Sequence, residues 1–177
     1  MIRSYFYVLD LHGKLYLHDM IPKNIATSYK DEKFLKFFFK RLMFNDTKDH
    51  PEYPMISKCG LELNYLKSIE PLETPFVFTQ CDFKQISGQY RSLRFDTDEL
   101  MYSLKTNKLY YKHHIPMSNM RHDQLSSIRF NLHFPEYGII DDQLILNTFM
   151  NTRLGHNIMP ESKEIQINNV KFNLKVQ

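Results

Sequence analysis

The 177-residue chain has no tryptophan, only five glycines and only two cysteines, and each scarcity excludes something. Cys59 and Cys81 stand in different segments and form no CxxC pair, so neither a disulfide framework nor a zinc site is indicated, and a reducing compartment is expected. Few glycines leave little material for nucleotide-binding loops, and the chain lacks a P-loop, a GxGxxG turn, a GxSxG elbow and an HExxH helix. No apolar run approaches the roughly 18 residues that a membrane-spanning helix needs, so no membrane insertion is expected. The first residues enter a strand pattern directly, which implies that the protein is made where it works or that a leader has been removed. Charge of one sign is also lacking. Lys and Arg number 23 against 20 Asp and Glu, for a net charge of +3, and the two signs are interspersed, an argument against nucleic acid as partner.

Aromatic residues are plentiful. Fourteen Phe and eleven Tyr favour strands over disordered tails, and the length suffices for one core without a metal or a disulfide. One stretch stands out as helical. Across Asp31 to Met43, Phe34, Leu35, Phe38 and Leu42 recur at three- and four-residue spacing, with Lys33, Lys36 and Lys40 on a separate stripe. Asp31 is the natural N-cap, since its carboxylate can accept the free amides of the first turn, and Asn45 is a plausible stop.

Around this helix the chain reads mostly as strands. Tyr5 to Asp10 and Lys14 to His18 flank Leu11-His12-Gly13 as a hairpin, and residues 45–54, with two prolines, read as a surface loop. Met55 to Lys58, Leu61 to Lys67 and Phe76 to Cys81 are strand-like, so the first half reads ββαβββ. Leu93 to Phe95 is a short strand, Asp96 to Leu104 an acidic-capped helical turn or two, and Lys108 to Lys112 another strand. Ile128, Phe130, Leu132 and Phe134 alternate with polar residues as a half-buried strand does. Asp142 to Leu154 reads as a helix closed by Gly155, and Asn168-Asn169 can supply the positive φ angles of a tight hairpin between Glu164 to Ile167 and Val170 to Leu174. The expected fold is therefore α+β: a mostly antiparallel sheet packed on one central helix. It is organised as a single domain over 1–177, or as two ββαβββ-like lobes at 1–85 and 86–177.

Several of these pieces, taken in order, resemble an uncharacterised protein family with bacterial and eukaryotic mitochondrial members. The residues that carry the resemblance are Tyr5-Phe6-Tyr7, Asp10, Gly13-Lys14-Leu15, Lys30-Asp31, Phe34-Leu35, Phe38-Phe39 and the run from Ser57 to Asn64. Phe76 to Thr79, Phe95-Asp96, Leu109-Tyr110 and Glu136-Tyr137-Gly138 continue it. The chain departs at Asn107-Lys108, where the family has a Gly, and at Tyr111-Lys112, where it has His-Pro, so no role of that His carries over. The resemblance implies a cytoplasmic protein if bacterial, or one of the mitochondrial matrix if eukaryotic. The order of elements is also similar to a second bacterial family of unknown function, built of duplicated α+β lobes and suspected of signalling or ligand sensing. Neither resemblance supplies a reaction.

The candidate site is a polar face. On a strand beginning at Leu61, Glu62 and Asn64 share one side and Leu61, Leu63 and Tyr65 the other, so with the apolar side on the helix, Glu62 and Asn64 face a groove or solvent. Cys59 precedes them across Gly60, and Lys30 and Asp31, at the helix start, are the expected lining, where free amides favour an anionic group. This set reads in three ways: as a binding patch for a small molecule or a protein partner, as an enzyme face, or as a structural polar cluster. The nearby Glu62 would raise a thiol pKa and no His adjoins, which weakens a Cys59 nucleophile. His113, His114 and His122 lack metal-ligand spacing and read as exposed loop histidines; Lys33, Lys36, Lys40 and Arg41 read as a solvated helix face. No cofactor and no metal are implied.

Overall fold

In the computed structural model, which describes residues 2–113, 134 and 136–177, two five-stranded sheets share one core. The first has the order β2-β1-β5-β4-β3, built from β1 (Arg3–Leu9), β2 (Leu15–Leu17), β3 (Leu42–Phe44), β4 (Met55–Cys59) and β5 (Glu62–Ser68). The helix α1 (Glu32–Lys40) lies between β2 and β3, so this sheet runs ββαβββ, but with Leu42–Phe44 as a strand that was not expected; the expected last strand, Phe76 to Cys81, lies outside it, divided as Val77–Phe78 and Gln80–Cys81 between two other sheets. Antiparallel pairing dominates, except that β1 lies parallel to β5 with Phe6 opposite Tyr65.

The second sheet has the order β16-β10-β11-β12-β6 and does not repeat that arrangement. It takes β6 (Val77–Phe78), β10 (Leu100–Ser103), β11 (Lys108–Lys112), β12 (Tyr137–Ile140) and β16 (Lys175–Val176). Two three-stranded sheets complete the fold: β7 (Gln80–Cys81), β8 (Gln85–Gly88) and β9 (Arg91–Arg94), and then β13 (Asn157–Met159), β14 (Glu164–Ile167) and β15 (Val170–Asn173). After β12, α2 (Asp142–Leu144) widens into a π-helical turn over Ile145–Phe149, where the Met150 amide donates to the Ile145 carbonyl. Asn168 and Asn169, at φ of 52° and 64°, form the expected left-handed turn of the β14–β15 hairpin.

The main core collects Tyr7, Leu9, Phe38, Phe39, Met55 and Leu66 from the first sheet and its helix with Phe76, Phe78, Leu109, Tyr111 and Phe149 from the second half. Each large sheet also has an apolar outer face. Phe6, Met43, Ile56, Leu63 and Tyr65 meet Tyr53 on the first; Met101, Tyr110 and Ile139 meet Leu11 and Phe134 on the second.

Three expectations change. The helix starts where anticipated, with the Asp31 carboxylate accepting the amides of Lys33 and Phe34, but it ends at Lys40 rather than Met43. Arg41 leaves helical geometry, and Leu42 to Phe44 pair with Met55 to Ser57 as β3, so Leu42 is buried as a strand residue. The wholly buried helix positions are Phe38 and Phe39, with Phe34 and Leu35 packed beside them. Asn45 is no helix stop. It is buried and organises the following loop, donating through Nδ2 to the carbonyls of Asp49, His50 and Tyr53 and accepting from Thr47. Finally, the helical turn after Asp96 is a single 3₁₀ turn, Thr97–Glu99, because Leu100 and Met101 are both buried and pair with β11. The alternating run that begins at Ile128 lies outside the described residues save for Phe134 at its end, and His114 and His122 lie outside them too.

Candidate functional site

A cleft of about 680 Å³ opens where α1, the first hairpin and the β7–β8–β9 sheet converge. Leu35 and Phe39 of α1 supply apolar wall, and the remainder comes from strand residues such as Leu15, Val77, Ser87 and Arg91 and from the turns and loops beside them. In the β1–β2 turn, Asp10 accepts the amides of His12 and Lys14 and the Tyr16 hydroxyl, while Gly13 takes φ of 78°. This carboxylate-pinned turn places His12, Gly13 and Lys14 in the cleft lining. On the next side, the Tyr29 amide donates to the Leu15 carbonyl, which ties Ser28, Tyr29 and Lys30 beside the hairpin.

The β8–β9 turn is the most constrained part. Gly88 pairs with Arg91 across it, and a β-carbon at Gly88 would collide with the Val77 carbonyl. Its two central residues, Gln89 and Tyr90, both adopt left-handed geometry, at φ of 47° and 61°, although neither is Gly, Asn or Asp. Such geometry persists where its surroundings enforce it. Here the Gln89 Oε1 accepts the Val77 amide at 3.0 Å, and an Arg91 Nη donates to the carbonyls of Phe39, in the last turn of α1, and Leu42, at the start of β3, each at 3.1 Å. The Oε1 bond settles which end of the Gln89 amide is nitrogen. That Nε2 is buried and has no hydrogen-bond partner, although Gln89 forms part of the cleft wall.

The lining carries positive charge. His12, Lys14, Lys30 and Arg91 line the cleft, whereas no Asp or Glu does. Lys14 and Lys30 make no ion pair among the described residues. Arg91 commits one of its nitrogens to two backbone carbonyls, which satisfies part of its hydrogen bonding and leaves its charge. Acidic residues do stand near the rim: burial raises the Tyr90 pKa, and the charges of Glu32 and Asp31 add to that rise. His12 makes a 2.7 Å contact from Nδ1 to the Asp141 Oδ2, and Asp141, nearly buried, also accepts the amides of Gln143 and Leu144. The Asp141 hydrogen bond is the largest cause of a raised His12 pKa; slight burial opposes it, and the charges of Asp141, Asp10 and Asp142 reinforce it.

The residues singled out in the sequence are dispersed. Lys30 lines the cleft; Asp31 is spent on the helix cap. Cys59, Glu62 and Asn64 lie elsewhere, on the face of the first sheet that α1 covers, the reverse of the expected orientation. Asn64 is paired with Ser57 in the β4–β5 ladder, and the Ser57 hydroxyl donates to the Phe38 carbonyl at 2.7 Å, which fixes this face toward the helix. Asn64 is wholly buried, with Nδ2 donating to the Ser57 carbonyl at 3.1 Å and Oδ1 unpartnered. Tyr65 points to the outer face, where it stacks on Phe6 at 5.2 Å. The alternation was thus correct and its sense inverted, because both faces of β5 are covered. Glu62, half-exposed, reaches Arg3 at 3.9 Å, and the Cys59 Sγ sits 3.4 Å from the Ser57 hydroxyl. Both cysteines are free thiols, and burial pushes Cys81 up to about 11. Tyr7 packs its ring 5.6 Å from that of Tyr29, and burial chiefly raises its pKa, with Tyr29 and Glu62 adding to the rise.

His113, expected to be exposed, is buried with its ring 4.8 Å from that of Phe76. No group of three or more His, Cys, Asp or Glu side chains is placed to hold a metal among the described residues, and none of the described helices is long and apolar enough to cross a membrane. Sequence reasoning missed His12, Lys14, Gln89 and Arg91. The Asp10-x-x-Gly13-Lys14 turn was readable as a turn, but nothing local marks Gln89.

Compared with known proteins, residues 1–173 match a family model described as a domain of unknown function (DUF4505). A crystal structure of a DUF1285 family protein from Silicibacter pomeroyi DSS-3 is similar with a TM-score of 0.46 and 10% identity, over 99% of this chain and 84% of that one.

Proposed function

The chain belongs to the DUF4505 family, whose description assigns no activity, and for this member we propose that the cleft between α1 and the β7–β8–β9 sheet binds a small molecule. The observation that carries this reading is the Gln89 side chain. A strained turn holds it in the cleft wall with one end bonded to Val77 and the other, a buried donor, bonded to nothing. A buried amide without a partner costs about 1–3 kcal/mol, so a site that keeps one is poised for a group that satisfies it. The volume suits a metabolite-sized ligand, for which pockets of roughly 300–1,000 Å³ are usual.

An enzyme is the second reading, and one observation favours it. His12, oriented by a nearly buried Asp141 through Nδ1, lines the cleft as a base held by a carboxylate would. The binding reading comes first because, among the described residues, the His12 ring is hydrogen-bonded to Asp141 and to no hydroxyl or thiol of the lining.

The test is retention. Wild type and Thr79→Trp, which fills the cleft from an exposed lining position, are incubated with a small-molecule extract of host cells and analysed by native mass spectrometry. Wild type should retain a compound that Thr79→Trp does not. Equal retention by a folded Thr79→Trp protein, or none by wild type, would overturn the proposal.

A further inference from the structure

Given that the cleft is the binding site, we infer that its ligand carries an oxyanion, a carboxylate or a phosphate, held by Lys14 and Lys30 and hydrogen-bonded by the amide nitrogen of Gln89. Two independent observations converge on this class. The first is charge: the cleft is lined by Lys14, Lys30, Arg91 and His12 without a carboxylate, and the two lysines have no ion-pair partner among the described residues. The second is hydrogen bonding. Gln89 is 9% exposed, and its unpartnered Nε2, buried in the ligand-free fold, can only donate, so once the turn yields to a ligand it selects an acceptor oxygen and not a hydroxyl hydrogen or an ammonium group.

These features divide the work. The lysines, on a hairpin turn and at the end of a loop, provide attraction that salt screens. Gln89, locked by the Val77 amide, provides direction. Arg91 keeps the β9 end of the turn against α1, so it positions Gln89 in addition to adding charge.

The experiment is a titration of the full chain followed through the amide NMR signals of Gly13, Gln89 and Tyr90. Inorganic phosphate and succinate are added separately, glucose serves as the uncharged probe, and ionic strength is held constant with potassium chloride. Saturable shifts are expected with at least one of the two oxyanions and none with glucose; phosphate alone assigns a tetrahedral anion and succinate alone a carboxylate. In the Lys14→Ala, Lys30→Ala double variant the dissociation constant should rise about tenfold or more, as the loss of charge-assisted contacts does. Gln89→Glu should weaken binding in the same sense, because a carboxylate can still accept the Val77 amide while repelling the ligand. Should that variant not fold, the lysine pair decides the matter. Absence of saturable shifts with both oxyanions, or a dissociation constant unchanged in the lysine variant, would overturn the inference. The two proposals fail separately. An uncharged compound retained by wild type and lost from Thr79→Trp, with no oxyanion response, removes the ligand class and leaves the cleft.

Discussion

The β4–β5 strip and the cleft are both polar regions touching α1, yet one is closed and the other open. In the strip, Ser57 donates to the Phe38 carbonyl and Asn64 to the Ser57 carbonyl, so each side chain is committed to the main chain of its neighbours. In the cleft, Gln89 likewise bonds the backbone with half of its amide, as Asn64 does, and what sets the region apart is its lining lysines, Lys14 and Lys30, which have no ion-pair partner among the described residues. The difference follows from where the residues sit. A strand's ladder fixes each side chain to a face, and once that face is covered a polar group must find a partner inside. Turns carry no such obligation, and their side chains remain available to a ligand.

This contrast can be broken at its shared support. Phe38, wholly buried, underlies both regions, and Phe38→Ala should cost about 3–5 kcal/mol in urea unfolding, as large-to-small core changes do. A loss below about 1 kcal/mol would remove α1 from its central place. Next in size, Asn64→Ala should destabilise by about 1–3 kcal/mol, since it strands the Ser57 carbonyl, while compounds retained by the cleft stay bound. Binding lost from a folded Asn64→Ala protein would make the strip part of the site. Lys14→Ala and Lys30→Ala should each shift stability by no more than about 0.5 kcal/mol, because neither is buried and neither has an ion-pair partner among the described residues.

The smallest effect expected is at His12. Its pKa is raised above 6.5 in the folded protein, so the charged pair with Asp141 contributes fully below that value and is lost as pH rises through the folded pKa. The stability gap between wild type and His12→Gln should therefore narrow between mildly acidic and mildly alkaline pH. With more than half of the His12 side chain exposed, the change should be at most about 0.5 kcal/mol. A gap that widens toward alkaline pH would contradict the pair.

Much of the scaffold was legible because local chemistry decided it. Asp31 does cap the helix, and Gly13 and the Asn168-Asn169 pair do turn their hairpins. The helix end was not legible, since Leu42 satisfies a helical period as well as it does a strand's. The face of β5 was not legible either: Tyr65 and Leu63 look like core residues and are, but in the outer cluster under Tyr53, which only the path of residues 45–54 creates. Lys30 was identified and the rest of the cleft was not. His12, Lys14, Gln89 and Arg91 come together through pairings distant in sequence, and no spacing along the chain records that.

The central claim is that ligands enter the cleft and not the strip, and one measurement addresses it directly: native mass spectrometry of Thr79→Trp and of Glu62→Gln, both folded, against wild type in the same extract. Glu62 is the exposed end of the strip and its ion pair with Arg3 is long, so its substitution should leave the fold intact. The account requires that Thr79→Trp lose the retained compound and that Glu62→Gln keep it; the opposite pattern, loss at Glu62 with retention in the filled cleft, would contradict it.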